Sequence, residues 1–117
     1  GAWAAEHGLG YFLKTVPKTS GSDIEDPVGK AACGAYPVVP MKGLKEFEKV
    51  RQKAIQVLPS LTCPIYSFFG AKDRTVDVSK AALFVENPVI FERSAHILPL
   101  DYDQKELIAQ CLTILEK

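Results

Sequence analysis

The second half of the chain follows the order strand, helix, strand, helix, and this order limits the possible folds more than any other feature. The run Pro64-Ile-Tyr-Ser-Phe-Phe69 is apolar at odd and even positions, which is typical of a strand buried on both faces of a parallel sheet. A helix over residues 78–86, a short strand at Val89-Ile-Phe91 and a final helix from Asp103 follow it. Such βα repeats form parallel sheets with right-handed crossovers. The sequence therefore predicts an α/β fold.

A longer helix precedes the first of these strands. Its apolar residues recur every three or four positions from Leu44 to Leu58, and Pro59 ends it. Residues 1–42, in contrast, are rich in Gly, Pro, Ser and Thr, and they predict connecting loops with one short helix after Asp26. We therefore divide the chain into residues 1–42 and a βαβα portion over residues 43–117.

The predicted sheet is incomplete. Two strands do not form a stable parallel sheet alone, because such a sheet is covered by helices on both faces and contains further strands. We expect the other strands to come from a missing N-terminal half or from a second copy of the chain.

Composition excludes several classes of partner. The chain has 14 Lys and Arg residues against 14 Asp and Glu residues with no block of one sign, so it lacks the charge that duplex DNA or an anionic membrane surface attracts. No apolar run approaches the roughly 18 residues of a membrane span. The spacing of Cys33, Cys63 and Cys111 fits neither a disulfide framework nor a zinc site. We expect a soluble, cytoplasmic protein without a nucleic-acid partner.

Two residues that carry chemistry follow the predicted strands. Asp73 comes after Phe69, and His96 comes after Phe91. The carboxyl ends of neighbouring parallel strands open on one edge of a sheet, with strand axes about 4.8 Å apart. We therefore expect Asp73 to orient the His96 ring, which acts as a general base. Taken singly, each residue is more typical of a turn or a surface, and His7 has no comparable partner.

At these two motifs the sequence resembles the C-terminal portion of an α/β-hydrolase, most closely the bacterial carboxylesterase and monoacylglycerol-lipase branch. The matching stretches are residues 63–76, which include Gly70-Ala-Lys-Asp73, and residues 92–101, which include Ser94-Ala-His96. The resemblance implies that Asp73 is the acid and His96 the base of a catalytic triad. It also implies a carboxylic-ester substrate, no cofactor, no metal, and a lid remnant within residues 1–42.

The chain departs from that family in one important respect. The nucleophilic serine of these enzymes lies in a Gly-x-Ser-x-Gly motif that precedes the acid and the base, and the 117 residues contain no such motif. We expect the serine in a missing N-terminal part, and we expect this chain alone to be inactive. Two alternatives stay open: a non-catalytic α/β module that binds a ligand or partner at the same edge, and another α/β-hydrolase chemistry such as that of a peptidase or a haloalkane dehalogenase.

Overall fold

A computed structural model describes residues 14–19 and 21–117. These residues form two compact units, and each unit is built from two separate stretches of sequence. Unit 1 contains the described residues up to Gly21 and Tyr36–Cys63, whereas unit 2 contains Ser22–Ala35 and Pro64–Lys117. The division between residues 42 and 43 stays a prediction. Within the described residues, no helix is both long and apolar enough to cross a membrane.

The helices and strands are short apart from two helices. In chain order they are β1 (Thr15–Pro17), α1 (Pro27–Ala32), β2 (Val38–Pro40), α2 (Met41–Val57), β3 (Phe68–Gly70), α3 (Val78–Ala81), β4 (Val89–Phe91) and α4 (Gln104–Leu115).

Unit 1 consists of a small antiparallel sheet and a long helix. Strands β1 and β2 pair with Val16 opposite Val39, and α2 begins directly after β2. The helix predicted from Leu44 to Leu58 is present and starts earlier, at Met41, whose N–H donates to the carbonyl of Lys14 at 3.0 Å. The short helix predicted after Asp26 is present as α1, but the prediction of loops was wrong at β1 and β2, because strands of three residues are too short to leave a periodic pattern.

Unit 2 contains the parallel pair that the sequence predicts. Strands β3 and β4 pair in parallel with Phe69 opposite Ile90. The first strand is shorter than predicted and covers Phe68–Gly70, since β4 offers only three residues for pairing. The core of unit 2 consists of buried Phe91, Leu98 and Leu107. The ring of Phe68 stacks on that of Phe91 with 6.1 Å between ring centroids.

The helices of unit 2 confirm the predicted order but differ from it in detail. Helix α3 begins after Asp77, whose carboxylate accepts the N–H of Lys80, and it passes into a single 3-10 turn at Ala82–Phe84 instead of reaching residue 86. Asn87 then adopts the left-handed conformation with φ of 47°, which Asn tolerates in turns. The helical segment therefore ends two residues before the predicted position, whereas β4 begins at Val89 as the sequence predicts.

Helix α4 covers the sheet with only part of its apolar surface. Leu107 is buried, whereas Ile108, Leu112 and Leu115 are 50%, 53% and 81% exposed. The helical spacing of these apolar residues and of Cys111 in the sequence predicts that all of them face inward, and this prediction was wrong for Ile108, Leu112 and Leu115. The two-stranded sheet of unit 2 is too narrow to cover the whole apolar face of the helix.

Candidate active site

The structure brings Asp73 and His96 together at the edge of the sheet where β3 and β4 end. Asp73 lies just beyond β3, and His96 lies in the loop that follows β4. Nδ1 of His96 is 2.8 Å from Oδ2 of Asp73. The Asp73 side chain is 4% exposed and the His96 side chain 40% exposed, so a buried carboxylate holds a ring that remains accessible.

The two oxygens of the Asp73 carboxylate have different partners. Oδ1 accepts the backbone N–H groups of Thr75 and Val76, each at 2.8 Å, and this leaves Oδ2 for His96. The two interpretations of this residue from sequence are therefore compatible, because one oxygen shapes the turn and the other contacts the ring. Asp73 thus enters the site with its orientation fixed by its own loop.

The pKa of Asp73 determines which atoms carry protons. Burial raises this pKa, but hydrogen bonds from Val76, His96 and Thr75 lower it by more, so the pKa lies below its usual value. The carboxylate is therefore ionised at neutral pH and acts only as an acceptor. Nδ1 of His96 must then carry the hydrogen in the bond to Asp73, which in the neutral ring leaves Nε2 as the proton acceptor.

Gly70 allows the histidine loop to approach the end of β3. A Cβ atom at this position would overlap the carbonyl oxygens of Ser94 and Ala95, so a larger residue would push the loop away. The loop is held close by a hydrogen bond of 3.1 Å from the N–H of Lys72 to the carbonyl of Ser94. The spacing between the loops of Asp73 and His96 therefore depends on the absence of a side chain at Gly70.

Ser94 fixes the turn that precedes His96. Ser94 is fully buried, and its hydroxyl donates to Oδ2 of Asp103 at 2.7 Å. The hydroxyl oxygen of Ser94 in turn accepts the backbone N–H of Asp103 at 2.9 Å. The spacing of Asp103 and Glu106 in the sequence predicts a capping box at the start of α4, but the Asp103 carboxylate makes no capping bond. It contacts Ser94 and Nε of Arg93 instead. Burial raises the pKa of Asp103, and the bonds from Ser94 and Arg93 lower it to below its usual value.

Asp101 is the structural residue that sequence reasoning missed. Its side chain accepts four backbone N–H groups at 2.8–2.9 Å and the residue is only 3% exposed. The donors are Glu25, Asp26, Ala95 and Tyr102. In the sequence Asp101 has only the features of a turn or capping residue, and no spacing pattern reveals donors that lie about 75 positions earlier in the chain. Asp101 ties the histidine loop to the segment before α1.

The remaining candidate groups do not form a second site within the described residues. Across residues 14–19 and 21–117, no three His, Cys, Asp or Glu side chains are placed to hold a metal ion. Cys33 and Cys111 are half-buried and Cys63 is exposed, and all three are free thiols. His7 lies outside the described residues.

Comparison with known proteins identifies the fold. No protein-family model and no curated protein matches the sequence. A structure solved in work on LipS and LipT, two metagenome-derived lipolytic enzymes, matches with a TM-score of 0.75 and 23% sequence identity. The match covers 89% of this chain and 44% of that one, so the chain spans less than half of that structure's length. The chain therefore has a mixed α/β fold that matches part of an α/β-hydrolase, as the sequence predicts.

Proposed function

We propose that this chain supplies the acid and the base of a serine hydrolase that acts on carboxylic esters. Asp73 orients His96, and His96 acts as the general base. The observation that carries the proposal is the 2.8 Å contact between Nδ1 of His96 and Oδ2 of Asp73 at the carboxyl ends of two paired parallel strands. The lipolytic neighbour supports an ester substrate, and the motifs around both residues support the carboxylesterase and monoacylglycerol-lipase branch.

The proposed reaction requires a serine from outside these residues. We call the chain together with the segment that carries this serine the completed protein. Nε2 of His96 accepts the hydroxyl proton while the serine oxygen bonds to the ester carbonyl carbon. The ring then donates that proton to the leaving alcohol as the ester C–O bond breaks. Water attacks the acyl-enzyme in the same way, which releases the carboxylic acid and returns the proton to the serine.

The environment of the pair suits these steps. The ionised Asp73 carboxylate stabilises the positive charge that the ring acquires, and its burial strengthens this interaction. The exposed part of the ring leaves room for a serine and a substrate. The segment that completes the fold comes from a missing N-terminal half or from another copy of the chain. The reaction moves protons and an acyl group and uses no cofactor, and a cytoplasmic location stays a prediction.

The decisive experiment measures hydrolysis of p-nitrophenyl esters of different acyl lengths by the completed protein. We expect His96→Ala and Asp73→Asn each to lower kcat by at least about 10³-fold, because the two residues act as one unit with the serine. The matched control is His7→Ala, which replaces the other histidine of these 117 residues and should leave kcat unaltered. Equal turnover with and without the His96 ring would exclude the hydrolase and favour the non-catalytic binding module.

A second measurement identifies the type of nucleophile. A fluorophosphonate reagent should label the completed protein at a serine and leave the 117-residue chain unlabelled. Turnover without serine labelling would indicate a different α/β-hydrolase chemistry, with a nucleophile other than serine.

A further inference from the structure

Residues 23–26 lie between the loop of Asp73 and the loop of His96, and we call them the bridging segment. They come directly before α1 and belong to unit 2, as do both loops. The proposed reaction does not assign them a role. Their contacts, however, go to residues that flank Asp73, to the residue after His96, and to Asp101, which accepts the N–H of the residue before His96.

The side chain of Asp23 holds the loop of Asp73. Its Oδ2 accepts the N–H of Arg74 at 2.7 Å and the hydroxyl of Thr75 at 3.0 Å, and its Oδ1 lies 2.8 Å from the Arg74 guanidinium. Thr75 is one of the two residues whose N–H orients the Asp73 carboxylate. Glu25 adds a second ion pair to Arg74. The turn that orients Asp73 is therefore fixed from outside by the bridging segment.

The backbone of the same segment holds the loop of His96. The carbonyl of Asp23 accepts the N–H of Ile97 at 3.2 Å, immediately after the histidine. The N–H groups of Glu25 and Asp26 donate to Asp101, which also accepts the N–H of Ala95, immediately before the histidine. Both neighbours of His96 are thus linked to the bridging segment.

We propose that Asp23 is a positioning residue that sets the distance between Asp73 and His96. Its carboxylate contacts the residues after Asp73, and its carbonyl contacts the residue after His96, so a single residue connects the two loops. This inference rests on the proposed function for its catalytic meaning. A catalytic pair requires placement within about 0.5 Å, and a residue that spans both loops provides that restraint.

The test follows the proton on Nδ1 of His96 by NMR in the 117-residue chain labelled with ¹⁵N. Asp23→Ala removes both carboxylate oxygens of this residue. We expect the Nδ1 proton to exchange with water at least about fivefold faster, because the loss of one hydrogen bond of about 1 kcal/mol corresponds to about a fivefold change in the opening equilibrium. Asp23→Asn keeps one oxygen for Arg74 and Thr75 and should retain most of the protection. Asp77→Ala is the matched control, since its carboxylate bonds to Ser79 and Lys80 in α3.

A purely structural role for Asp23 gives a different result. It would lower the free energy of unfolding, yet it would leave the Nδ1 proton of the folded chain as protected as in the wild type, and that outcome overturns the inference. If Asp23→Ala fails to fold by circular dichroism, Thr75→Val replaces it, because it removes one hydrogen bond to Asp23. Unchanged protection in Thr75→Val then overturns the inference, and faster exchange supports it.

Activity separates this inference from the proposed function. In the completed protein, Asp23→Ala should lower kcat with little change in KM, because the contacts of Asp23 go to the loops of Asp73 and His96, and Asp23→Asn should restore most of kcat. A completed protein without ester hydrolysis contradicts the proposed function, but the NMR result still decides whether Asp23 positions the pair. Unaltered Nδ1 protection in Asp23→Ala refutes the positioning role, and so does unaltered kcat in an active completed protein.

Discussion

Replacing Asp101 by Ala should lower the free energy of unfolding by about 3.5–5 kcal/mol, because its buried carboxylate accepts four backbone N–H groups. The hydrogen bond from Ala95 is fully buried, so the N–H of Ala95 is left without an acceptor, and this lowers the unfolding free energy by about 2 kcal/mol. The other three N–H groups are partly buried, so water compensates for part of each lost bond. Each of them lowers the unfolding free energy by about 0.5–1 kcal/mol. Asp101→Asn keeps one oxygen and should lose roughly half as much.

The assay is urea unfolding of the 117-residue chain at pH 7, followed by circular dichroism. Asp77→Ala serves as the control, because it also removes a carboxylate that accepts a backbone N–H, but at an exposed helix start. We expect the control to lose much less stability. A loss in Asp101→Ala no larger than that of Asp77→Ala would show that water satisfies the freed N–H groups, and it would refute this reasoning.

The same variant should change the response of stability to acid. Burial raises the pKa of Asp101, but the four hydrogen bonds lower it by more, so the folded chain has a lower pKa than the unfolded chain. As pH falls below about 4, the unfolded chain binds the proton first, and stability declines until the pH passes the pKa of the folded state. Asp101→Ala lacks this contribution, so its unfolding free energy should fall less steeply below about pH 5.

Three further predictions concern other parts of unit 2. Ser94→Ala removes a buried hydroxyl that makes two hydrogen bonds, and urea unfolding should show a loss of about 1–3 kcal/mol. Gly70→Ala should lower the Tm and weaken the Nδ1 protection of His96, whereas Gly34→Ala, with open space around it, should change neither. The exposed apolar face of α4 should make the chain associate as its concentration rises in sedimentation velocity, and Leu112→Lys should reduce this association.

The meeting of Asp73 and His96 could be predicted because it depends on general geometry. Parallel strands run in one direction, so the residues just beyond them gather at one edge. Recognising β3, β4 and the order of the helices was therefore sufficient to place two distant residues side by side. The exact strand lengths did not matter for this inference, and the shorter β3 left it unchanged.

The residues that support the pair could not be predicted, because their partners are set by tertiary structure. Asp101 accepts N–H groups 76 and 75 positions earlier, and Asp23 contacts Arg74 and Thr75 some 50 positions later. Backbone N–H groups are present at nearly every position, so the sequence does not mark which of them become donors. An acidic residue in a loop has the same local pattern whether it is exposed or buried.

The exposed apolar residues of α4 are a different kind of discrepancy. The spacing of Ile108, Leu112 and Leu115 is that of a helix face meant for burial, yet the described residues leave this face open. The apolar spacing of a helix predicts which of its residues are buried in the complete fold, and unit 2 alone does not provide the surface that would bury these three. This discrepancy supports the proposal that more sheet and helix complete the fold.

The contacts that position the proposed acid and base, however, lie inside unit 2. The bridging segment, the loop of Asp73 and the loop of His96 all belong to this unit, and so do Asp101 and Asp103. No contact described for the pair requires the segment that carries the serine. The geometry of the pair is thus independent of the proposed serine segment, because it arises from loops that restrain one another. For this reason the Nδ1 proton of His96 should be protected in the 117-residue chain itself, and its rapid exchange in the wild type would refute this account.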